Sequence, residues 1–246
     1  MKKVEKIKKI KRELLIWTIA FPLYLVSIVF FFGLRLFNCV VIHGWKNIPF
    51  WPKRLIIVSN HPSLWEPVLL NYLYCAQTLI WPFKFVPYST PDLNNYNKWY
   101  WDLIKGRFIF VPRQRPAMRK YAFRRMREVL EKGKILILFP EGGRTGTNGT
   151  NNWLYSASSK NRLRPLTNGA TKLAFQTDSP ILIVWVKGSD KALPIGRFWP
   201  KFWKRTDIFV GSTINLVGNY KNTKDVKEGT KQIAETLLAL ADETEK

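Results

Sequence analysis

The chain is poor in the residues that staple or metallate a fold. Its 246 residues hold two cysteines, Cys39 and Cys75, so a disulfide framework is excluded and a reducing compartment fits. There are only two histidines and no CxxC or HExxH pairing, so no metal site is expected. Acidic residues are also scarce: 17 Asp and Glu stand against 40 Lys and Arg, a net charge of +23. Such an imbalance calls for a polyanionic partner, either nucleic acid or an anionic membrane surface. Internal repeats and low-complexity tracts are missing. What is plentiful is apolar mass, at 46% of the residues, enough to bury one core and one catalytic-sized domain.

The N-terminus favours the membrane. Residues 14 to 34, LLIWTIAFPLYLVSIVFFFGL, form an uncharged run of 21, close to the ~20 residues that cross a hydrocarbon core. The run is too long for a signal-peptide core and no small-residue cleavage site follows it. Ahead of it, MKKVEKIKKIKRE carries seven basic and two acidic residues, which would hold that end on the cytoplasmic side. Pro22 removes a backbone donor and is a natural break. Two forms are consistent with this pattern: one kinked span, or two shorter helices that enter one leaflet and return.

Beyond residue 43 strand-like runs alternate with helical ones. Leu55–Ser59, Phe108–Val111, Ile135–Phe139 and Ile181–Val186 read as strands. Helices are expected around Pro67–Ala76, over RPAMRKYAFRRMREVLEKG, around Asn168–Thr177 and over Lys227–Glu243. Continuous apolar strands separated by helices predict an α/β domain with a mostly parallel sheet covered by helices. The organisation expected is a membrane-anchoring helical segment over residues 1–42 and a catalytic domain over 43–246.

Functional residues in such a sheet gather at the C-terminal ends of its strands. Three stretches fall there: SNHPSLWEP, VPRQR and FPEGGRTGTNG. In the first, the His61 imidazole can take a proton from a hydroxyl if a carboxylate orients it, and Glu66 is the candidate. On a continuous helix their five-residue offset is a rotation of about 140°, so they would not share a face. With Pro67 at a helix start, however, His61–Trp65 can form a turn that folds the ring back over Glu66. In the last stretch, Gly142 and Gly143 let backbone N–H groups approach an anion while the Arg144 guanidinium grips phosphate oxygens. Glu141 stands beside them, and Arg113 is a second candidate phosphate ligand. Each of these, taken alone, is also consistent with a solvated loop or turn. His43, with no carboxylate near it in sequence, reads as structural.

Taken together, N-H-x-x-x-x-E, F-x-x-R and FPEGGR in this order resemble the glycerolipid acyltransferases that include 1-acylglycerol-3-phosphate acyltransferases. The resemblance begins at HGWKNIP, passes through IIVSNHPSLWEP, FVPR and LEKGKILILFPEGGRT, and ends with NGATKLAFQTDSPILIVWVKG. It implies that His61 is a general base for direct attack of an acceptor hydroxyl on an acyl thioester, and that Glu66 orients it. Glu141, Gly142, Gly143 and Arg144 would bind the acceptor's phosphate and glycerol region, with Arg113 as a further phosphate contact and Gly188 closing the last block. The donor would be acyl-CoA or acyl-carrier protein, with no resident cofactor. This chain departs from the family pattern in four places. Glu66 stands for Asp, Gly143 for Thr, Arg107 for a glycine, and prolines are missing from ILIVWV.

The resemblance also bears on topology. Acyl-CoA and acyl-carrier protein are cytosolic, so a single crossing from a cytoplasmic N-terminus would leave His61 on the wrong side. A two-helix insertion broken near Pro22, monotopic on the cytoplasmic face of the cell membrane, is therefore expected in preference to a single pass. The basic residues and the ring-and-cation stretches Trp99-Tyr100-Trp101 and RFWPKFWKR would meet anionic lipid. Most consistent with all of this is acyl transfer to 1-acylglycerol-3-phosphate, giving phosphatidic acid. The alternatives are another lysophospholipid or an aminolipid as acceptor, or a non-catalytic basic protein bound to membrane or nucleic acid. The uncharged 21-residue run argues against a nucleic-acid partner.

Overall fold

The apolar runs become strands because whole segments are buried on both sides. In the computed structural model, which describes residues 18, 22, 24–92, 105–112, 115–145, 152–197 and 199–245, six strands form one sheet. They are β1 (Val40–His43), β2 (Leu55–Ser59), β3 (Tyr88–Ser89), β4 (Ile135–Leu138), β7 (Ile181–Lys187) and β8 (Thr206–Ile214). Between β4 and β7, β5 (Leu154–Tyr155) and β6 (Arg162–Leu163) make a separate antiparallel ladder. The sheet order is β1-β8-β7-β2-β4-β3, and every pairing is parallel except β7 with β8.

Alternate residues of the central strands point to opposite faces, and each face has its own core. Leu55, Ile57, Leu182 and Val184 pack against α1 (residues 24–36), α2 (Glu66–Asn71), α3 (Cys75–Ile80) and α4 (Pro82–Phe85). Ile56, Val58, Ile181 and Ile183 pack against α5 (Pro116–Glu131), α6 (Gly169–Thr177) and α8 (Thr223–Glu243). The short α7 (Ser189–Ala192) follows β7 at the end of the sheet where β2 finishes. The result is three layers, with the C-terminal ends of β2, β4 and β7 side by side.

Several expected elements differ. The helix expected around Pro67–Ala76 is broken into α2, a 3-10 turn over Tyr72–Tyr74, and α3. Tyr72, Leu73 and Tyr74 are all buried, and three consecutive buried residues do not fit one apolar stripe of an α-helix. Phe108–Val111 is extended but is no strand: it makes one bridge, Phe108 to Ser89, and donates to Ser89 O and Pro91 O. Pro91 has no N–H to return, so a ladder cannot propagate there. The sequence reading also passed over β1 and β8, which add the antiparallel pairing. His43 does have a carboxylate partner: register sets Val41 opposite Asp207, and His43 Nε2 meets Asp207 Oδ1 at 2.7 Å.

From residue 24 the apolar N-terminal run is α1, which buries Ile28, Phe31 and Leu34 in the domain core and stacks Phe31 on Tyr72 at 4.4 Å. Residues 1–17, 19–21 and 23, which carry the basic stretch and the expected first inserted helix, lie outside the described residues, as do Trp99, Tyr100 and Trp101. Among the described residues no helix is long and apolar enough to cross a membrane.

Two glycines set close backbone contacts. At Gly44, φ is 71° and a Cβ would stand 2.3 Å from Val210 O, while Asn47 Nδ2 donates to that same oxygen at 2.8 Å. At Gly188, φ is 82° and a Cβ would stand 2.6 Å from Arg205 O. Gly188→Ala is expected to lower stability by more than about 1 kcal/mol, since Ala pays both the positive φ and the clash. Thermal unfolding in detergent measures it, and an unchanged midpoint would contradict the packing described.

Candidate active site

The β2 strand delivers SNHPSLWEP to the end of the sheet, and side chains lock that loop in place. Asn60 is buried, donates from Nδ2 to Val186 O at 2.9 Å and accepts from Val186 N at 2.8 Å, which extends the β2–β7 ladder by one residue. The turn then brings His61 Nδ1 to 3.0 Å from Glu66 Oε2. Glu66 is fully buried, and its other oxygen, Oε1, accepts from Ser63 N at 2.9 Å, from Ser63 Oγ at 2.9 Å and from Ser189 Oγ of α7. Ser63 Oγ also accepts from Trp65 N at 2.9 Å. A buried carboxylate needs such donors, and here they occupy one oxygen and leave the other for the imidazole.

The ring of His61 stacks on Phe139, with centroids 4.3 Å apart. Its backbone is held as firmly. His61 N donates to Glu141 Oε1 at 2.8 Å, and His61 O accepts from Thr145 N at 2.8 Å. Glu141 also accepts from Thr145 Oγ1 at 2.8 Å and from Arg164 N at 3.0 Å. Burial pushes the Glu141 carboxyl above its ordinary range, against the pull of the Arg164, Thr145 and His61 donors. Both Glu141 oxygens therefore face protein donors, and the residue joins the FPEGGR turn to the histidine loop.

His61 opens onto a cavity of about 780 Å³ whose walls include Leu64, Val68, Phe123, Met126 and Leu173. Gly142 and Gly143 line the same cavity. Gly142 adopts a φ of 64°, which lets the chain reverse directly after Glu141. Arg144 lines a smaller recess of about 300 Å³ together with Leu193, Pro194 and Arg197, and Leu64 borders both spaces. His61, Glu66, Glu141 and the two glycines are thus brought together, with Arg144 one wall away. Arg113 lies outside the described residues.

Sequence reasoning missed Ser63 and Ser189. The first had a local signal, because S-x-x-E ahead of a helix is the capping-box pattern, in which the Glu reaches back to the Ser N–H. Ser189 had none, since 123 positions separate it from Glu66. Chemically, a histidine with one nitrogen fixed to a buried carboxylate and its ring at an apolar cavity is equipped for general-base work on a substrate with a long apolar part.

Comparison with known proteins gives the chain's family and fold. Over 198 residues the chain is 25% identical to a 1-acyl-sn-glycerol-3-phosphate acyltransferase of Pseudomonas aeruginosa, covering 79% of this chain and 63% of that protein. Over 159 residues it is 24% identical to the chloroplastic 1-acyl-sn-glycerol-3-phosphate acyltransferase BAT2 of Brassica napus, covering 63% of this chain and 39% of that one. The chain thus spans less than two thirds of the length of these curated relatives. Its fold is that of the crystal structure of the 1-acyl-sn-glycerophosphate (LPA) acyltransferase PlsC from Thermotoga maritima, with TM-score 0.55, 19% identity, and coverage of 86% of this chain and 74% of that one. Residues 39–187 match the model of the family described as Acyltransferase, a span that holds His61, Glu66 and the whole FPEGGR turn, and the chain belongs to that family.

Proposed function

We propose that the protein transfers a fatty acyl group from an acyl thioester to the free hydroxyl of a lysophospholipid, with 1-acylglycerol-3-phosphate as acceptor and phosphatidic acid as product. The observation that carries this reading is the His61–Glu66 pair at 3.0 Å, opening onto an apolar cavity of about 780 Å³. In this reading Nδ1–H donates to Glu66, so Nε2 accepts the proton of the acceptor hydroxyl as its oxygen attacks the thioester carbonyl. The C–S bond then breaks, the thiolate leaves, and the proton passes from His61 to the sulfur. The apolar cavity takes the donor's chain, and Arg144, with Arg113, takes the acceptor's phosphate. Glu141, Gly142 and Gly143 shape the acceptor site by holding the turn beside His61. The names of the relatives support this acceptor, and no resident cofactor enters the scheme.

The site is proposed to work at the cytoplasmic face of the cell membrane, anchored through the N-terminal segment over residues 1–42. Within that segment α1 and β1 also pack into the catalytic domain, whose sheet therefore begins at Val40 and not at residue 43. Large apolar groups are exposed on the α1–α3 layer, among them Val29 and Phe37 on and after α1, and Ile80 and Trp81 at the end of α3. Two cations sit over indoles on the same side, Arg35 at 5.0 Å from Trp45 and Lys84 at 5.4 Å from Trp51. Rings and cations around an exposed apolar surface suit an anionic lipid interface.

Acyl transfer from labelled acyl-CoA and acyl-carrier protein to a panel of lysophospholipids tests the reading. Transfer to 1-acylglycerol-3-phosphate above the other acceptors is expected. Transfer confined to a different lysolipid would replace the acceptor, and transfer to none by folded, membrane-bound protein would sink the proposal.

A further inference from the structure

The cavity that holds His61 has walls from both helical layers, and the two layers differ in surface chemistry. On one side it is lined by Tyr24 and Ser27 of α1, in the layer whose exposed groups are apolar. On the other it is lined by Arg119, Phe123 and Met126 of α5. The stretch from residue 105 to 127 contains nine Lys and Arg and no Asp or Glu. In α5 this charge is displayed outward. Residues 115–121 are exposed at every position, so two turns stand clear of the body before Ala122 and Met126 are buried.

Among the described residues, no carboxylate pairs with the cations of these turns. Glu128 pairs with Arg124 at 3.6 Å and Arg125 at 2.8 Å, and Glu131 pairs with Arg127 at 3.4 Å, all in the second half of the helix. Arg115, Arg119 and Lys120 meet no carboxylate among the described residues. Met118 and Tyr121 are exposed between them. Arg, Met and Tyr together on a free helical face are the composition of a protein interface, and the excess cations select an acidic partner.

Two anionic partners compete for this surface, the bilayer and the carrier of the acyl donor. The sheet decides between them. α5 packs on the face opposite α1, α2 and α3, so when the exposed apolar layer lies on lipid, α5 faces the aqueous side. Surface chemistry separates the two kinds of donor. Arg115, Arg119 and Lys120 alternate with the exposed Met118 and Tyr121 over about 9 Å of chain, and apolar groups set among cations suit a protein surface rather than a bare diphosphate.

We infer that the first half of α5 is a docking face for an acidic acyl carrier protein, with Arg115, Arg119 and Lys120 meeting its carboxylates and Met118 and Tyr121 its apolar groups. This rests on the acyl-transfer reading above. Docked there, the carrier stands beside the cavity wall formed by Arg119, Phe123 and Met126, and its thioester arm extends along that wall to His61.

The test uses the full chain in vesicles containing phosphatidylglycerol, wild type against the double variant Arg115→Glu/Lys120→Glu. Initial rates are taken with purified acyl-carrier protein and with acyl-CoA as donors, and binding of the purified carrier protein is measured without acceptor. The variant is expected to raise the KM for acyl-carrier protein at least about tenfold relative to that for acyl-CoA, and to weaken carrier binding by a similar factor. Added salt should weaken carrier binding to the wild type more than to the variant. An equal rise for both donors would overturn the docking face, as would loss of vesicle association with the KM ratio unchanged. Wild type that turns over acyl-CoA but neither binds nor uses the carrier overturns it too, with the transfer reading intact. Charge-dependent carrier binding without transfer from either donor keeps the docking face and removes the transfer reading.

Discussion

Replacing His61 with Ala or with Gln is expected to lower acyl transfer about 10²- to 10⁴-fold, the range that a positioned general base contributes. Two replacements are needed because the ring also has structural contacts. His61→Ala removes the stack on Phe139 and leaves Glu66 Oε2 without its donor in a fully buried site. An orphaned buried acceptor costs about 1–3 kcal/mol, enough to lower activity through the fold alone. His61→Gln offers an amide N–H to Oε2 and fills part of the ring's volume, yet it has no group able to take up a proton. The backbone bonds from His61 N to Glu141 and from Thr145 N to His61 O survive in both variants. Loss of transfer in both, with vesicle association and unfolding midpoint close to wild type for Gln, identifies the base. Recovery of activity in the Gln variant would show that the ring matters for packing and not for proton transfer.

The central strands were legible because burial on both faces forces a continuous apolar run, and Leu55–Ser59 was read to the residue. β8 was not, because its residues alternate between buried and partly exposed and carry Asp207 and Ser212 among the apolar ones. β1 is only four residues long and is recognisable by what it pairs with. In the site, the approach of His61 to Glu66 followed from a turn closed by a helix start, a local constraint that Pro67 announces. The carboxylate of Glu141 is a harder case. Beside two glycines and an arginine it looks like part of an anion-binding turn, and nothing in the sequence says that its oxygens face His61 N and Arg164 N. Charge placement was equally hidden. The strongly basic stretch was plain, but that it lies across the sheet from the exposed apolar helices depends on chain topology.

Glu66→Gln and Glu66→Asp are both expected to impair transfer, even though Asp is the residue usual in the proteins this chain resembles. The amide fails because it cannot reproduce two acceptor oxygens. With its oxygen placed where Oε1 accepts from Ser63 and Ser189, its NH2 points at His61 Nδ1, which must then accept and leave the proton on Nε2, the wrong tautomer for a base. Flipped, the NH2 meets the Ser63 N–H. Either way a loss of about 10³-fold is expected. Asp keeps the charge but retreats by about 1.5 Å, one C–C bond. The bonds to Ser63 and to His61 are already 2.9 and 3.0 Å long, and Glu66 is fully buried, so no bulk water fills the gap. One end of the carboxylate must let go. A misplacement of this size costs about ten- to a hundredfold in rate. Ser189→Ala should act in the same direction more weakly, about tenfold, because it removes one donor to a charged group. These effects should appear in kcat with little change in the acceptor KM, since Glu66 and Ser189 act on the orientation of His61. A Glu66→Asp enzyme with wild-type kcat would mean that the turn shifts to follow the shorter arm, and that Ser63 and Ser189 do not hold it in place.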